Sequence, residues 1–481
     1  MPKRQTLLLV VLLLTALIDS STMGYDTLMM SGLIAIPQFT GYFTLTPELI
    51  GLFNASMWIG SILSCALMQQ CSDKLGRKKT IFISAIICLV GVVLQTAAQN
   101  MAMFIIARII VGFGSQLCGA AAPLLISEVS PSKYRGFLVG CYFSFFNAGA
   151  LVASGVTYGS FKIMDTWAWR LPSAIQGVPS ILCILLLGLI PESPRWLIAD
   201  GQFEYASQVL SVANNASSEE IGPLVSEIEE AIRAERELQI GSWKVLVSTR
   251  PMMRRLFIII SLVLMLEMGG SSVGSYYLTI ILRQAGLTET TKILQVNVIS
   301  SAYNFAISIL GAYFFDRFGR KKQAFFSLTG MIICFYLLGG FVKMYGVSDN
   351  KSGQYATIFW MFLFNGFYNF CFTPLNCLYP TEIFPFKVRA AGTTFFKFWN
   401  CGFGLFAAFI LPIAMDNIGW KYYMINASYN IVFLPIIWYV WVETKNITLE
   451  EVAEKFGDAP AVVIEFIQEG GVKEKLEKNK R

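Results

Sequence analysis

The sequence predicts an all-α integral membrane protein: twelve transmembrane helices in two pseudo-symmetric six-helix bundles. Three observations predict it. Hydrophobic residues make up 55% of the 481 and charged residues only 14%, the balance of the membrane class. Apolar runs of about 20 residues, each long enough to cross a bilayer, recur along the whole chain. The chain also spells two phrases twice. Asp73-Lys-Leu-Gly-Arg-Lys-Lys79 returns as Asp316-Arg-Phe-Gly-Arg-Lys-Lys322, and Glu128-x-x-Pro131-x-x-x-Arg135 returns as Glu382-x-x-Pro385-x-x-x-Arg389. The offsets of 243 and 254 residues nearly agree, so the halves read as two copies of one unit.

Taken in order, the spans cover residues 7–30, 46–70, 80–98, 101–127, 136–158, 171–190, 256–282, 293–315, 323–345, 356–379, 390–415 and 421–441. The first is too long for a signal-peptide core and no small-residue cleavage site ends it, so it reads as retained. With this topology, 28 of the 37 Lys and Arg fall in the termini and even-numbered loops, and five in the odd-numbered loops. Short basic loops stay cytoplasmic, which places both termini in the cytosol and explains the net charge of +6 without nucleic-acid binding. The organisation that follows is an N-terminal bundle (1–190), a cytoplasmic linker (191–255), a C-terminal bundle (256–445) and a cytoplasmic tail (446–481). Within the linker, 219–238 alternates charge with apolar residues at helical spacing and reads as amphipathic helix on the cytoplasmic face. The charged tail reads as disordered. Asn350-Lys351-Ser352 is the best-placed glycosylation sequon, in the outside loop between spans nine and ten, whereas Asn215 and Asn446 fall on the cytoplasmic side.

No cysteine of the ten lies in an outside loop, so no structural disulfide is expected. The chain has no histidine, which removes Ser-His-Asp and Cys-His catalysis, histidine metal sites and a histidine proton relay. Carboxylate chemistry remains open, but with no soluble catalytic domain an enzyme is the least expected class. A duplicated membrane domain points to a secondary transporter with its site between the halves.

The repeated loop motif has a physical logic. Gly76 and Gly319 permit tight turns between neighbouring spans, and an Asp before the turn can pair with Arg or Lys after it. Glu128, Arg135, Glu382 and Arg389 sit at comparable helix ends. Together these residues can form a charge network at the cytoplasmic end of each bundle, a two-state element for alternating access.

These residues resemble the sugar porter family of the major facilitator superfamily, over essentially the whole chain. The resemblance rests on Asp73…Gly76-Arg77-Lys78, Glu128…Pro131…Arg135-Gly136, Pro191-Glu192-Ser193-Pro194-Arg195-Trp196-Leu197, Asp316…Gly319-Arg320-Lys321 and Glu443-Thr444-Lys445 in order. Gly24-Tyr25-Asp26, Trp169-Arg170-x-Pro172 and Thr373-Pro374-Leu375-Asn376 look most like the fungal lactose permease and cellodextrin transporter branch. The resemblance implies a cytoplasmic gate network of Asp73, Arg77, Glu128, Arg135, Glu192, Asp316, Arg320, Glu382, Arg389 and Glu443.

Ionisable groups inside spans are costly and read as functional. Asp26 in span one and Arg108 in span four match the positions of the carboxylate and guanidinium in proton-coupled family members. The carboxylate can hold or release a proton, and the guanidinium favours its ionised form. Glu267 stands where the family carries a sugar-binding Gln, with Ser271 and Ser272 covering the place of an Asn and Tyr276 following. Lys397 in span eleven either pairs with Glu267, meets an acidic substrate or snorkels to the cytoplasmic surface, the last being favoured. By resemblance, Asn304 lies at the spacing of a sugar-binding Asn. Asn297, Asn376 and Asn400 are further amides, each also compatible with an interhelical hydrogen bond. Phe143 replaces a polar family residue and Cys377 a Trp, which argues against simple glucose-carrier specificity. The implied function is proton–sugar symport, with a sugar-sensing receptor or a facilitative uniporter as alternatives. The expected partners are the sugar and the lipid bilayer, with no nucleic acid, no cofactor beyond the coupling proton, a monomeric state and a plasma-membrane location.

Overall fold

Apolar runs separated by capping residues dictate the helices. A computed structural model describes the chain apart from residues 1, 238–245, 272–277, 285–288, 346–349, 386–387, 446, 448 and 458–481. Helix α1 (Pro2–Ala35) crosses first, and α2 (Pro37–Phe43) follows it. Helix α3 (Pro47–Leu75) starts behind Thr46, whose hydroxyl accepts the Leu49 N–H at 3.4 Å. The turn at Gly76 leads into α4 (Arg77–Thr96). Asn100 caps α5 (Met101–Val129) by accepting from Met103 N–H at 2.9 Å. Helix α6 (Ser132–Ser160) is the fifth span, and α7 (Trp167–Ile175) and α8 (Gly177–Leu187) together make the sixth, broken at Gln176. In the linker, α9 (Pro194–Ala199), α10 (Phe203–Asn214) and α11 (Ser218–Glu237) pack on the N-terminal half.

The second half repeats the plan. Helix α12 (Arg250–Val263) passes into a π turn (Leu264–Met268), and α13 (Leu278–Gln284) completes the seventh span. Next come α14 (Thr290–Phe318), α15 (Arg320–Tyr345), α16 (Lys351–Ile383) and α17 (Arg389–Ile418). The twelfth span is split into α18 (Lys421–Asn430) and α19 (Phe433–Tyr439). Eight described helices are long and apolar enough to cross a membrane: α1, α3, α4, α5, α7–α8, α14, α15 and α17. Two of the other four expected spans are interrupted by the π turn and by the α18–α19 break. The remaining two are α6 and α16, and α16 carries three asparagines and two prolines. No strand occurs among the described residues.

The tail departs from expectation. Residues Leu449–Phe456 form a short helix, α20, rather than disordered chain. Val452 and Phe456 lie four apart on one face and are buried against the C-terminal core, with the Arg255 guanidinium 4.2 Å above the Phe456 ring.

Within each half the core is apolar. Between halves, α3 packs on α17, α6 on α14, and α1 touches α13. Polar contacts mark the seam: Ser154 Oγ to Ser301 Oγ at 2.8 Å, Asn147 Nδ2 to Asn369 Oδ1 at 3.1 Å, and Thr279 Oγ1 to the Ser31 carbonyl at 2.8 Å.

Candidate functional site

Asp26 and Arg108 come together in the N-terminal half as a fully buried pair, Nη1 to Oδ1 at 3.2 Å and Nη2 to Oδ2 at 3.4 Å. Two further groups complete the shell. Arg108 Nε donates to the Phe53 carbonyl at 2.8 Å, and Gln176 Nε2 donates to Asp26 Oδ1 at 2.7 Å. Gln176 is available because the sixth span breaks there, between α7 and α8. The sequence reading omits it, although a polar amide inside an apolar span is a visible signal. The outer wall is aromatic: Phe39, Phe43, Phe53, Phe104 and Trp169 pack ring against ring. The pair therefore sits in a low-dielectric pocket where its attraction is strong and its separation costly.

The C-terminal half is arranged differently. Glu267 lies within the π turn, and Asn400 Nδ2 of α17 donates to Glu267 Oε1. The π turn and Gly270, at φ +104°, interrupt the ladder of the seventh span and free its carbonyls. Side chains take them up. Ser271 Oγ donates to Leu266 O at 2.5 Å, Asn426 Nδ2 to Met268 O at 3.0 Å, and Asn430 Nδ2 to Gly269 O at 3.3 Å. Ser271 thus spends its hydroxyl proton on the backbone break and keeps its oxygen as an acceptor. Ser272 and Tyr276 lie outside the described residues.

Asn297, Ser300 and Asn304 share one stripe of α14, at spacings of three and four. Ser301 on the same side meets Ser154 of α6, so this stripe looks across the seam at the other half. Both amide atoms of Asn297, Ser300 Oγ, Asn304 Oδ1 and Asn376 Oδ1 of α16 make no hydrogen bond among the described residues. Unpaired buried polar groups are expensive unless water or a ligand satisfies them. They are donors and acceptors of the kind a polyhydroxylated ligand needs. The side chain of Phe143 lies outside the described residues, as does that of Cys377.

Lys397 is half-buried, with its ammonium 6.0 Å from the Phe396 ring. It lies within electrostatic reach of Glu267, Cys65 and Cys401, one turn from Cys401 on α17. On the same face of α17 the helix meets α3 closely, where the Trp58 ring packs against Gly404 and Cys65 Sγ lies 3.9 Å from Cys401 Sγ. A side chain on this face of α17 has the seam, not the lipid, beside it.

At the basic-loop end the repeated motif builds two copies of one network. Glu192 Oε1 accepts the N–H groups of Arg77 and Lys78 at 2.9 and 3.0 Å, and Glu443 accepts those of Arg320 and Lys321 at 2.8 and 3.1 Å. These are the first free N–H groups of α4 and α15, a natural carboxylate site. Arg77 pairs with Glu128 at 2.9 Å and Arg320 with Glu382 at 2.7 Å. Asp73 adds a longer contact to Arg77, 3.6 Å. Ser193 donates to Glu128 and Thr444 to Glu382, a matching pair of hydroxyls that the sequence reading left without a role. Gly76 and Gly319 hold φ +90° and +87°, and a Cβ on either would lie 2.5 or 2.6 Å from the Glu192 or Glu443 carboxylate. The described ion pairs each stay within one half. The side chains of Arg135, Asp316 and Arg389 lie outside the described residues. Asn350 accepts from Ser352 N–H at 3.1 Å and so caps α16.

Residues 12–456 match the model of the family described as "Sugar (and other) transporter". The MFS-type transporter oryC of Aspergillus oryzae is 30% identical over 466 residues, covering 93% of this chain and 85% of that protein. A high-affinity glucose transporter of Kluyveromyces lactis is 28% identical, covering 92% and 84%. Among solved structures, the proton:xylose symporter XylE of E. coli, bound to 6-bromo-6-deoxy-D-glucose, superposes with a TM-score of 0.77 at 23% identity, covering 94% of this chain and all of that one. The chain belongs to the sugar transporter family of the major facilitator superfamily: it is a multi-pass membrane transporter and not an enzyme.

Proposed function

We propose that this member of the family is a proton-coupled sugar symporter that works by alternating access. The observation that carries the reading is the buried Asp26–Arg108 pair, closed by Gln176 and the Phe53 carbonyl. A proton arriving on Asp26 cancels the attraction to Arg108, so loading and unloading switch a strong buried contact on and off. That gives the two bundles a reason to change their relative stability with each proton. A likeness in fold to a proton:xylose symporter and relatedness to a glucose transporter support the substrate class.

The sugar binds on the C-terminal side. Asn297, Asn304 and Asn376 offer unpaired amide atoms, and Glu267 with Asn400 offers an acceptor and a donor from the π turn and α17. A carboxylate at Glu267 accepts two sugar hydroxyls but donates none, which favours a sugar different from those read by a paired-amide site. The Arg77–Glu128–Glu192 and Arg320–Glu382–Glu443 clusters stiffen the basic-loop end of each bundle, so that the bundles rock as units. The transporter works as a monomer in the plasma membrane, termini in the cytosol, with no cofactor beyond the coupling proton.

The test is uptake of labelled glucose, xylose, lactose and cellobiose into proteoliposomes, with and without an inward proton gradient. Accumulation above equilibrium only with the gradient supports symport. Equilibration without accumulation would make the chain a uniporter, and binding without uptake would make it a sensor.

A further inference from the structure

A second carboxylate is buried in the N-terminal half and has no part in the pair described above. Asp19 lies two turns before Asp26 on α1, and seven residues of helix place it on nearly the same face, about 10 Å closer to the N-terminal end. It is 5% exposed. Tyr142 of α6, itself buried, donates its hydroxyl to Asp19 Oδ2. Three thiols, Cys118 of α5, Cys183 of α8 and Cys88 of α4, belong to the helices around it and are buried. None of these is a cation, and among the described residues no salt bridge reaches Asp19. Arg108 is committed to Asp26 and the Phe53 carbonyl, and Arg77 to Glu128.

A lone carboxylate anion in a bilayer span costs several kcal/mol and is retained where it moves charge. We propose that Asp19, held by Tyr142, is a second proton-binding site on the inward side of Asp26, through which the coupling proton leaves. This rests on the symport reading. When water enters from the cytosolic side, Asp19 can ionise and gives its proton to that water. The proton on Asp26 then passes through the same water to an Asp19 oxygen, and the Asp26 carboxylate re-pairs with Arg108. One proton crosses per cycle and both carboxyls return to their starting states.

The experiment compares net gradient-driven uptake with sugar exchange in proteoliposomes, at several internal pH values, for wild type, Asp19→Asn and Tyr142→Phe. Asp19→Asn is expected to slow net uptake by about tenfold or more and to lose the dependence on internal pH, while exchange persists. Tyr142→Phe, which removes one hydroxyl, is expected to shift the internal-pH midpoint. Wild-type net uptake and an unchanged internal-pH profile in Asp19→Asn overturn the proposal. Should that variant fail to fold, an unchanged profile in Tyr142→Phe overturns it instead. A wild type with no response to the gradient sinks the symport reading itself, an outcome separate from a responsive wild type that Asp19→Asn leaves unaltered.

Discussion

The two halves share a backbone plan and a loop motif, and both leave buried polar atoms unpaired, but among the described residues a fully buried ion pair forms in the N-terminal half alone. In the N-terminal half Asp26, Arg108, Gln176 and the Phe53 carbonyl satisfy one another. In the C-terminal half Asn297, Asn304 and Asn376 leave atoms unpaired on helices that face the seam. A closed set of charges is suited to a change in proton occupancy, and an open set of amides is suited to a ligand with many hydroxyls. In the proposed symporter, duplication supplies the scaffold and the difference between the copies separates coupling from recognition.

The largest expected effect comes from Asp26→Asn. Concentrative uptake should fall by about 100-fold or more while exchange of labelled for unlabelled sugar continues. A variant that still accumulates sugar would remove coupling from the N-terminal half and break the division. Arg108→Leu comes next. It strands a buried carboxylate and should destabilise the protein by about 3–5 kcal/mol, seen as a lower Tm in detergent. Adding Asp26→Asn to it should restore most of that loss, because nothing charged is then left unpaired.

Gly76→Ala and Gly319→Ala sharpen the comparison from the other side, since here the halves are alike. Each forces an L side chain into left-handed φ against a carboxylate, so each should cost about 1–2 kcal/mol or more, in similar measure. Unequal losses would show that one network alone governs the transition. The smallest effect belongs to Asn304→Ala. Losing one hydrogen bond worth about 1 kcal/mol should raise KM about fivefold, with accumulation at saturating sugar unchanged. A fall in the accumulation ratio instead would place Asn304 in coupling.

What was legible in the sequence is what it spells twice. The gate residues stand out because Asp73, Gly76 and Arg77 return as Asp316, Gly319 and Arg320, and charge at a helix end has few other uses. Asp26 and Arg108 stand out because charge in an apolar run is costly. Gln176 and the Ser193–Thr444 pair were harder, because uncharged polar residues are common in membrane helices. Their work depends on a break or a turn that only the fold supplies. The bond made by Ser271 is hidden for the same reason: nothing in the string Leu266-Glu267-Met268-Gly269-Gly270-Ser271 announces a π turn whose carbonyl takes that hydroxyl. For Lys397 the depth along α17 is readable in the sequence and the direction around the helix is not.

Cys65 and Cys401 give the molecule a gauge of its own motion. Their sulfurs belong to opposite halves and stand 3.9 Å apart, whereas a disulfide needs about 2 Å. Any rocking that parts α3 from α17 carries the two thiols out of bonding range. Mild oxidation then captures only those molecules whose seam is shut, and the yield of linked halves counts them. Sugar, protons and inhibitors can each be ranked by how they change that yield, without a fluorophore or an engineered residue.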